Sequence, residues 1–168
     1  GTAPGAVVAT KYEGEGGVSV GSFFRRLLFA VRFRSTDTLL SPSLTTESRV
    51  LLYRRIADRV RRIAPFLTYD ADPYLAIDGG RLVWIQDAYT TTTRYPYSSS
   101  IGRSGVNYIR NSIKVTIDAY HGHVRFYNID PEDPIARTWA HAFPSLMRTR
   151  DEMPEGLRAR LRYPQDIF

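Results

Sequence analysis

The chain has 168 residues, 43% of them hydrophobic, which is the size and composition of one globular domain. It contains no cysteine, which excludes a disulfide framework and a thiolate metal site, and no apolar run approaches the roughly 20 residues needed to cross a bilayer. The net charge of +6 comes almost entirely from arginine. This charge permits contact with anionic lipid, acidic glycan or nucleic acid without selecting among them.

The N-terminal part predicts a short strand and an amphipathic helix. Ala6–Tyr12 has the composition of a strand, and the glycine-rich segment Glu13–Gly17 closes it. From Ser19 onward, apolar residues recur at helical spacing and form one stripe: Val20, Phe23, Phe24, Leu27, Leu28 and Val31. A basic helix of this kind can lie on a membrane surface, but we expect it to pack on a sheet, because a sheet needs a cover.

A second helix is predicted from Glu47 to Ala64, after the loop-like segment Ser35–Thr46, and Pro65 ends it. This is the most basic part of the chain, with five arginines between Arg54 and Arg62. A nucleic-acid interface would need aromatic or glycine-rich interleaving and a groove-entering motif, and neither is present. A solvated helix face is therefore favoured, and nucleic acid is disfavoured as a partner.

Two hairpins form the centre of the predicted fold. Tyr74–Ile77, a turn at 78–80 and Arg81–Tyr89 make the first one. In the second, Val106–Asn128, residues on both sides of a His121-Gly122 turn alternate so that five apolar side chains share one face: Ile113, Val115, Ile117, Val124 and Phe126. We predict an α+β fold, with an antiparallel sheet of four to five strands covered by amphipathic helices, in a single domain over residues 1–168.

Two more helices are predicted after the sheet. Asp130 is placed to cap the first of them, with Pro131 at the first helical position, and this helix runs to Pro144. The second is a short helix from Met153 to Arg162.

Candidate catalytic and metal-binding groups are few. His121 and His123 lack a third ligand and His141 stands alone, so we predict no metal and no cofactor. Asp87 and Asp118 occupy matching places in two Asp-Ala-Tyr tripeptides, and such a carboxylate pair would suit a hydrolase of the glycosidase type. Strand-end aspartates more often bind backbone amides or arginines, so the pair is a candidate without further support.

The polar segment Tyr89–Gly105 is too long for a simple hairpin loop, and long loops in compact domains are usually functional or disordered. Tyr95 and Tyr97 within it suit stacking on a sugar or a peptide. The strand that follows opens with more polar and aromatic residues than burial requires: Asn107, Tyr108, Arg110 and Asn111. These six residues are the predicted binding site.

Five stretches cover most of the chain and together form a recognisable pattern: GGVSVGSFFRRLLFAVRF (16–33), WIQDAYTTTTRYPYS (84–98), VNYIRNSIKVTIDAYHGHVRFYNIDPEDPI (106–135), FP (143–144) and EMPEGLRARLRYPQDIF (152–168). This pattern resembles the UPF0182 family of uncharacterised bacterial multi-pass membrane proteins. It implies a parent protein in the plasma membrane, with transmembrane helices in its N-terminal part and a large segment outside the cytoplasm, from which this chain is an excised portion. It implies no activity and carries over no catalytic residue.

Two departures from the family pattern affect the predictions. Ile56 stands where relatives have a proline after the Tyr-Arg pair, so we expect the helix from Glu47 to run unbroken. The segment Ser98–Gly105 is short compared with relatives, and a loop that tolerates shortening is less suited to catalysis.

These observations predict a non-catalytic extracytoplasmic module that binds through the 89–105 loop. Its expected partner is an envelope glycan, a lipid headgroup or another membrane protein. The alternatives are an envelope hydrolase that uses Asp87 and Asp118, and binding of nucleic acid or anionic lipid by the arginine-rich helix.

Overall fold

A computed structural model of the chain describes residues 12–41, 44–100 and 102–164. The chain divides into two compact units, residues 1–49 and 50–168. The predicted strand Ala6–Tyr12 falls, except for its last residue, outside the described residues.

The first unit is built around one helix. Its elements are β1 (Val18–Ser19), α1 (Phe23–Phe33) and α2 (Asp37–Leu40). The strand β2 (Arg49–Val50), which pairs with β1, stands at the boundary between the two units. The α1 helix begins at Phe23 because the Ser22 side chain accepts a hydrogen bond from the Arg25 N–H, and it ends where Arg34 turns left-handed at a φ of 53°. The predicted helix is therefore confirmed, although it starts four residues after Ser19. The expectation that its apolar stripe packs on a sheet is wrong, because most of that stripe is exposed.

The second unit contains a six-stranded sheet in the order β3-β5-β6-β7-β8, with β4 also paired to β5. Its elements are α3 (Ile56–Ile63), β3 (Thr68–Tyr69), β4 (Tyr74–Asp78), β5 (Arg81–Thr92), β6 (Tyr108–Asp118), β7 (Val124–Asn128), α4 (Pro134–Ala142), β8 (Met147–Thr149) and α5 (Glu155–Arg158). The β7–β8 pair is parallel, whereas the other pairs in this sheet are antiparallel. The predicted α+β class and both hairpins are confirmed.

The strand register puts the predicted apolar residues on one face. Val115 pairs with Phe126 and Ile117 pairs with Val124. This face forms the main core together with α3 and α4: Val60, Ala64, Leu67, Tyr69, Ala88, Ile113, Val115, Ile117, Phe126, Ala136 and Met147. A smaller cluster on the other side of the strands contains Ala76, Ile85 and Tyr127, and Met153 and Leu157 from the C-terminal segment cover it. Burial of each large apolar side chain contributes about 1.5–3 kcal/mol.

The predicted unbroken helix from Glu47 is wrong, because α3 begins only at Ile56. Tyr53 takes a left-handed φ of 51°, which a helix cannot contain. The Arg59 guanidinium donates to the carbonyl oxygens of Leu52 and Tyr53, at 3.0 Å each, and so holds the preceding segment beside the helix. A side chain within the helix thus fixes where the helix starts.

Two other boundaries differ from the prediction. The N-cap of α4 is Asp133 with Pro134 at the first helical position, three residues after the predicted Asp130 and Pro131. Asp130 instead accepts a hydrogen bond from the Glu132 N–H in a local turn. The C-terminal helix is only the four residues of α5, shorter than the predicted Met153–Arg162.

Candidate functional site

The first catalytic candidate, Asp87, forms a buried ion pair with Lys114 on the neighbouring strand. The two residues are directly opposite in the β5–β6 register, and each side chain is only 3% exposed. Lys114 also donates to the Arg162 carbonyl oxygen at 2.9 Å. A carboxylate held in this way is closed to solvent and already neutralised, so it is unsuited to act on a substrate.

The second catalytic candidate, Asp118, lies four residues beyond Lys114 on β6, which corresponds to about 13 Å along a strand. One oxygen of its carboxylate accepts hydrogen bonds from the N–H groups of Tyr120 and His121, at 2.9 and 2.6 Å. Burial alone would raise the pKa of Asp118, but these N–H donors outweigh it and lower the pKa. The two carboxylates therefore have separate partners and do not form the pair that a glycosidase needs.

The predicted binding loop is tied together by Asn107. Strand β5 extends to Thr92, so the loop proper spans 93–107. The Asn107 side chain accepts from the Tyr95 N–H at 2.9 Å and donates to the carbonyl oxygens of Tyr95 and Ser98 at 2.8 and 3.3 Å. The Ser98 hydroxyl donates back to the Asn107 carbonyl at 2.6 Å. The amide of Asn107 thus replaces the backbone pairing that ends at this point in the sheet.

Replacement of Asn107 by alanine is expected to loosen this loop selectively. It removes three side-chain hydrogen bonds at a solvent-exposed site, so the free energy of unfolding should fall by only about 1–2 kcal/mol. Amide hydrogen exchange should accelerate in residues 93–107 and not in β6 or β7. Asn128→Ala is the control, because the Asn128 side chain accepts a single backbone hydrogen bond, from Asp130. If amide hydrogen exchange in residues 93–107 were unchanged in Asn107→Ala, the Asn107 side chain would not be what holds the loop.

The loop is joined to the body of the unit through Tyr108 and Asp133. The rings of Tyr95 and Tyr108 stack with their centroids 4.5 Å apart, and the Tyr108 hydroxyl donates to Asp133 at 2.7 Å. Burial, with help from the Asp133 carboxylate, raises the pKa of Tyr108 to about 12. Tyr108 is therefore a neutral hydrogen-bond donor over the physiological pH range.

Asp133 is fully buried and acts as the hub of this region. One carboxylate oxygen accepts from the hydroxyls of Thr90 and Ser112, at 2.5 Å each. The other accepts from Tyr108 and from the Ile135 N–H at the start of α4. Burial favours a raised pKa for Asp133, but the hydrogen bonds from Ser112, Thr90 and Tyr108 outweigh it and lower the pKa. One carboxylate thus joins β5, β6 and α4.

The remaining binding candidates differ in accessibility. The Arg110 guanidinium lies 3.3 Å from the Asp130 carboxylate, and the buried Asn111 side-chain nitrogen has no hydrogen-bond partner among the described residues. Tyr97 is fully exposed and takes a left-handed φ of 57°. The structure therefore brings four of the six candidates together where the loop meets β6: Tyr95, Asn107, Tyr108 and Arg110. It does not join Asn111 to them, and the loop presents Tyr97 to solvent.

A cavity of about 190 Å³ lies at the other end of the sheet. Its polar lining combines carboxylates and guanidinium groups with a threonine and a histidine: Asp78, Arg81, Thr116, Asp118, His123 and Arg125. The rings of His121 and His123 stack 5.5 Å apart nearby. In residues 12–41, 44–100 and 102–164 no three His, Asp or Glu side chains are arranged to hold a metal ion.

Lys114 and Asp133 are two central site residues that the sequence patterns did not indicate. The signal for Lys114 is its place between Ile113 and Val115 in a strand that faces Asp87. For Asp133 the signal is a second Asp-Pro pair three residues after the first. In both cases the partner is far away in the sequence.

Comparison with known proteins relates nearly the whole chain to one family. The model of the uncharacterised protein family UPF0182 matches residues 2–168. A UPF0182 protein of Moorella thermoacetica is 54% identical over 161 residues, covering 96% of this chain and 18% of the relative. Another from Desulforamulus reducens is 52% identical over 160 residues, covering 95% of this chain and 17% of the relative. No solved structure matches the chain.

Proposed function

Because the chain belongs to the uncharacterised protein family UPF0182, we propose that it is a non-catalytic binding module of a longer protein. The chain spans less than a fifth of the length of the curated relatives described above. The resemblance to multi-pass membrane proteins supports a place on the extracytoplasmic side of the plasma membrane. A glycan of the cell envelope is the partner that the loop chemistry favours.

The observation that carries this proposal is the exposed Tyr97 on a tethered loop. A non-glycine residue in the left-handed region costs of order 1–3 kcal/mol, and such strain persists where surrounding contacts enforce it. The bonds from Asn107 to Tyr95 and Ser98 supply those contacts on either side of Tyr97. The result is an aromatic ring presented to solvent, the arrangement that stacks on a sugar ring.

The charge of the loop favours an acidic glycan. Residues 93–107 contain Arg94 and Arg103 and no acidic residue. Both arginines are exposed, and guanidinium groups bind carboxylate and phosphate oxygens through paired hydrogen bonds. A sugar that carries an acidic group could both stack on the Tyr97 ring and bind the guanidinium groups of Arg94 and Arg103.

The same loop is poorly equipped for catalysis. Hydrolysis of a glycan requires a titratable acid and base within hydrogen-bond reach of the bond that breaks. The loop has no carboxylate and no imidazole, and the nearest buried carboxylate, Asp133, is occupied by four internal donors. Binding without turnover is the function that fits these groups.

Co-sedimentation with insoluble peptidoglycan and titration with soluble acidic polysaccharide test the proposal. Tyr97→Ala should weaken binding roughly three- to tenfold, the loss expected for one stacked ring. Tyr120→Ala is the matched control, because Tyr120 is also an exposed tyrosine but lies at the other end of β6. Equal binding by both variants, or release of new reducing ends from the glycan, would contradict the proposal.

A further inference from the structure

The α1 helix presents an apolar face to solvent. Phe23, Phe24 and Val31 are 71%, 66% and 70% exposed, and Leu27 and Leu28 are 38% and 54% exposed. At 100° per residue these five side chains occupy one continuous arc of about 140°. The opposite side of the helix carries Phe29, which is buried, and the buried Ala30 lies just beyond the edge of the arc, beside Phe23. A helix on the surface of a globular protein normally buries its apolar face and exposes its polar face.

Contacts within the first unit hold this face outward. Arg26 donates to the carbonyl oxygens of Val20 and Leu44, at 3.0 and 2.8 Å. Phe29 stacks on Phe33 with ring centroids 5.6 Å apart. These contacts fasten the helix by its polar and buried side, and most of the apolar arc stays open to solvent.

The charges around the arc indicate its partner. Residues 16–36 contain four arginines and no acidic residue. Arg25 and Arg32 lie next to Leu28 around the helix and so border the apolar arc. An apolar stripe of phenylalanine and leucine beside arginines is the pattern of helices that lie in the plane of an anionic membrane surface. Among the described residues, no helix combines the length and hydropathy required to cross a bilayer.

We propose that α1 docks the protein on an anionic lipid surface. The apolar arc enters the boundary between headgroups and acyl chains, while Arg25 and Arg32 contact lipid phosphates. The 11 residues of α1 span about 16 Å, enough to lie along the surface as a single anchor. This inference is independent of glycan binding, which we place in the loop at 93–107.

Sedimentation with large unilamellar vesicles tests it on the whole chain. One set of vesicles contains phosphatidylcholine alone, and the other contains phosphatidylcholine and phosphatidylglycerol at about 3:1. We expect binding to the anionic vesicles that falls at least about tenfold for Phe24→Gln/Val31→Gln. Binding should also weaken for Arg25→Gln/Arg32→Gln and when the salt concentration rises from about 50 to about 500 mM.

The control is Leu75→Thr/Ile77→Thr on β4, where the side chains are 43% and 58% exposed. It removes similar exposed apolar surface outside α1 and should leave vesicle binding unchanged. Far-UV circular dichroism establishes that each variant is folded, and all the replaced side chains point to solvent. A Phe24→Trp variant gives a second measurement, because brominated lipid should quench its added fluorescence.

Three results would overturn the inference. The first is no binding of the natural chain to anionic vesicles, and the second is equal binding by the α1 and β4 variants. The third is concentration-dependent self-association that the α1 variant alone abolishes while vesicle binding stays unchanged, which would assign the face to a second copy of the chain.

Discussion

Lys114→Met is expected to destabilise the 50–168 unit by about 3–5 kcal/mol, because it leaves the Asp87 carboxylate buried without its cation. Both side chains are 3% exposed in the natural pair, so water cannot replace the lost ammonium group. The variant also removes the donor to the Arg162 carbonyl oxygen. Denaturant unfolding at neutral pH, followed by tryptophan fluorescence, measures the loss.

The double variant Asp87→Leu/Lys114→Met distinguishes burial of a lone charge from poor packing. Since an apolar pair of similar volume often replaces a buried ion pair without loss, the double variant should recover most of the stability. Arg55→Ala breaks the exposed pair with Asp58 and should cost at most about 1 kcal/mol. If Lys114→Met were as mild as Arg55→Ala, the buried pair would not be a determinant of this fold.

The two hairpins were predictable because their signals are local. Alternation with a period of two identifies the buried face, and glycines 80 and 122 take the positive φ values of 77° and 74° that tight turns require. The short strands β3 and β8 have only two and three residues. Periodicity has no meaning over such a length, so their existence depends on the longer strands beside them.

The wrong helix boundaries have a different origin. The segment before Ile56 has helical spacing, but Arg59 holds its carbonyl groups and Tyr53 takes a left-handed conformation. The two Asp-Pro pairs at 130 and 133 are equivalent by local rules. Hydroxyl donors from β5 and β6 select the second pair, and residues about 20 and 40 positions away in the chain supply them. Local patterns cannot contain that information.

The candidate site was also predictable only in part, because some of its features are local in sequence and others depend on tertiary contacts. Six polar and aromatic residues in and after the 89–105 loop could be chosen from sequence, because burial of a strand does not explain so many polar and aromatic side chains. Their separate tasks could not be assigned, since the tether through Asn107 and the hub at Asp133 are tertiary contacts. The apolar stripe of α1 was also evident in sequence, whereas only its exposure reveals that it is not part of a core.

Asp133→Ala is expected to cost about 3–5 kcal/mol at neutral pH. It removes the N-cap of α4, which is worth about 1 kcal/mol. It also leaves the buried Ser112 hydroxyl without an acceptor, at about 1–3 kcal/mol. The Thr90 hydroxyl keeps only its 3.4 Å hydrogen bond to the Arg110 carbonyl oxygen. Thermal unfolding and denaturant titration measure the loss. Exchange of the 93–107 amides should accelerate as well, because Tyr108 loses its anchor.

The pH dependence of the folding stability distinguishes the contribution of the Asp133 negative charge from that of the side chain's volume and geometry. Its pKa is lowered in the folded protein, so it binds protons more weakly than in the unfolded chain, where an aspartate has a pKa of about 3.9. The stabilisation is therefore fully present above about pH 4 and is lost as the pH falls through the lower folded value. Asp133→Asn keeps the capping oxygen and the volume but cannot ionise.

The difference in stability between the natural chain and Asp133→Asn should accordingly be constant from about pH 5 to pH 7 and shrink as the pH falls below about 4. Glu132→Gln is the control, because Glu132 is an exposed neighbour that leaves the hub intact. A stability difference for Asp133→Asn that stays constant down to about pH 2 would mean that the carboxylate acts only through its shape. In that case the cost of Asp133→Asn would come only from the amide NH2 group, which cannot accept the hydrogen bonds that the second carboxylate oxygen accepts.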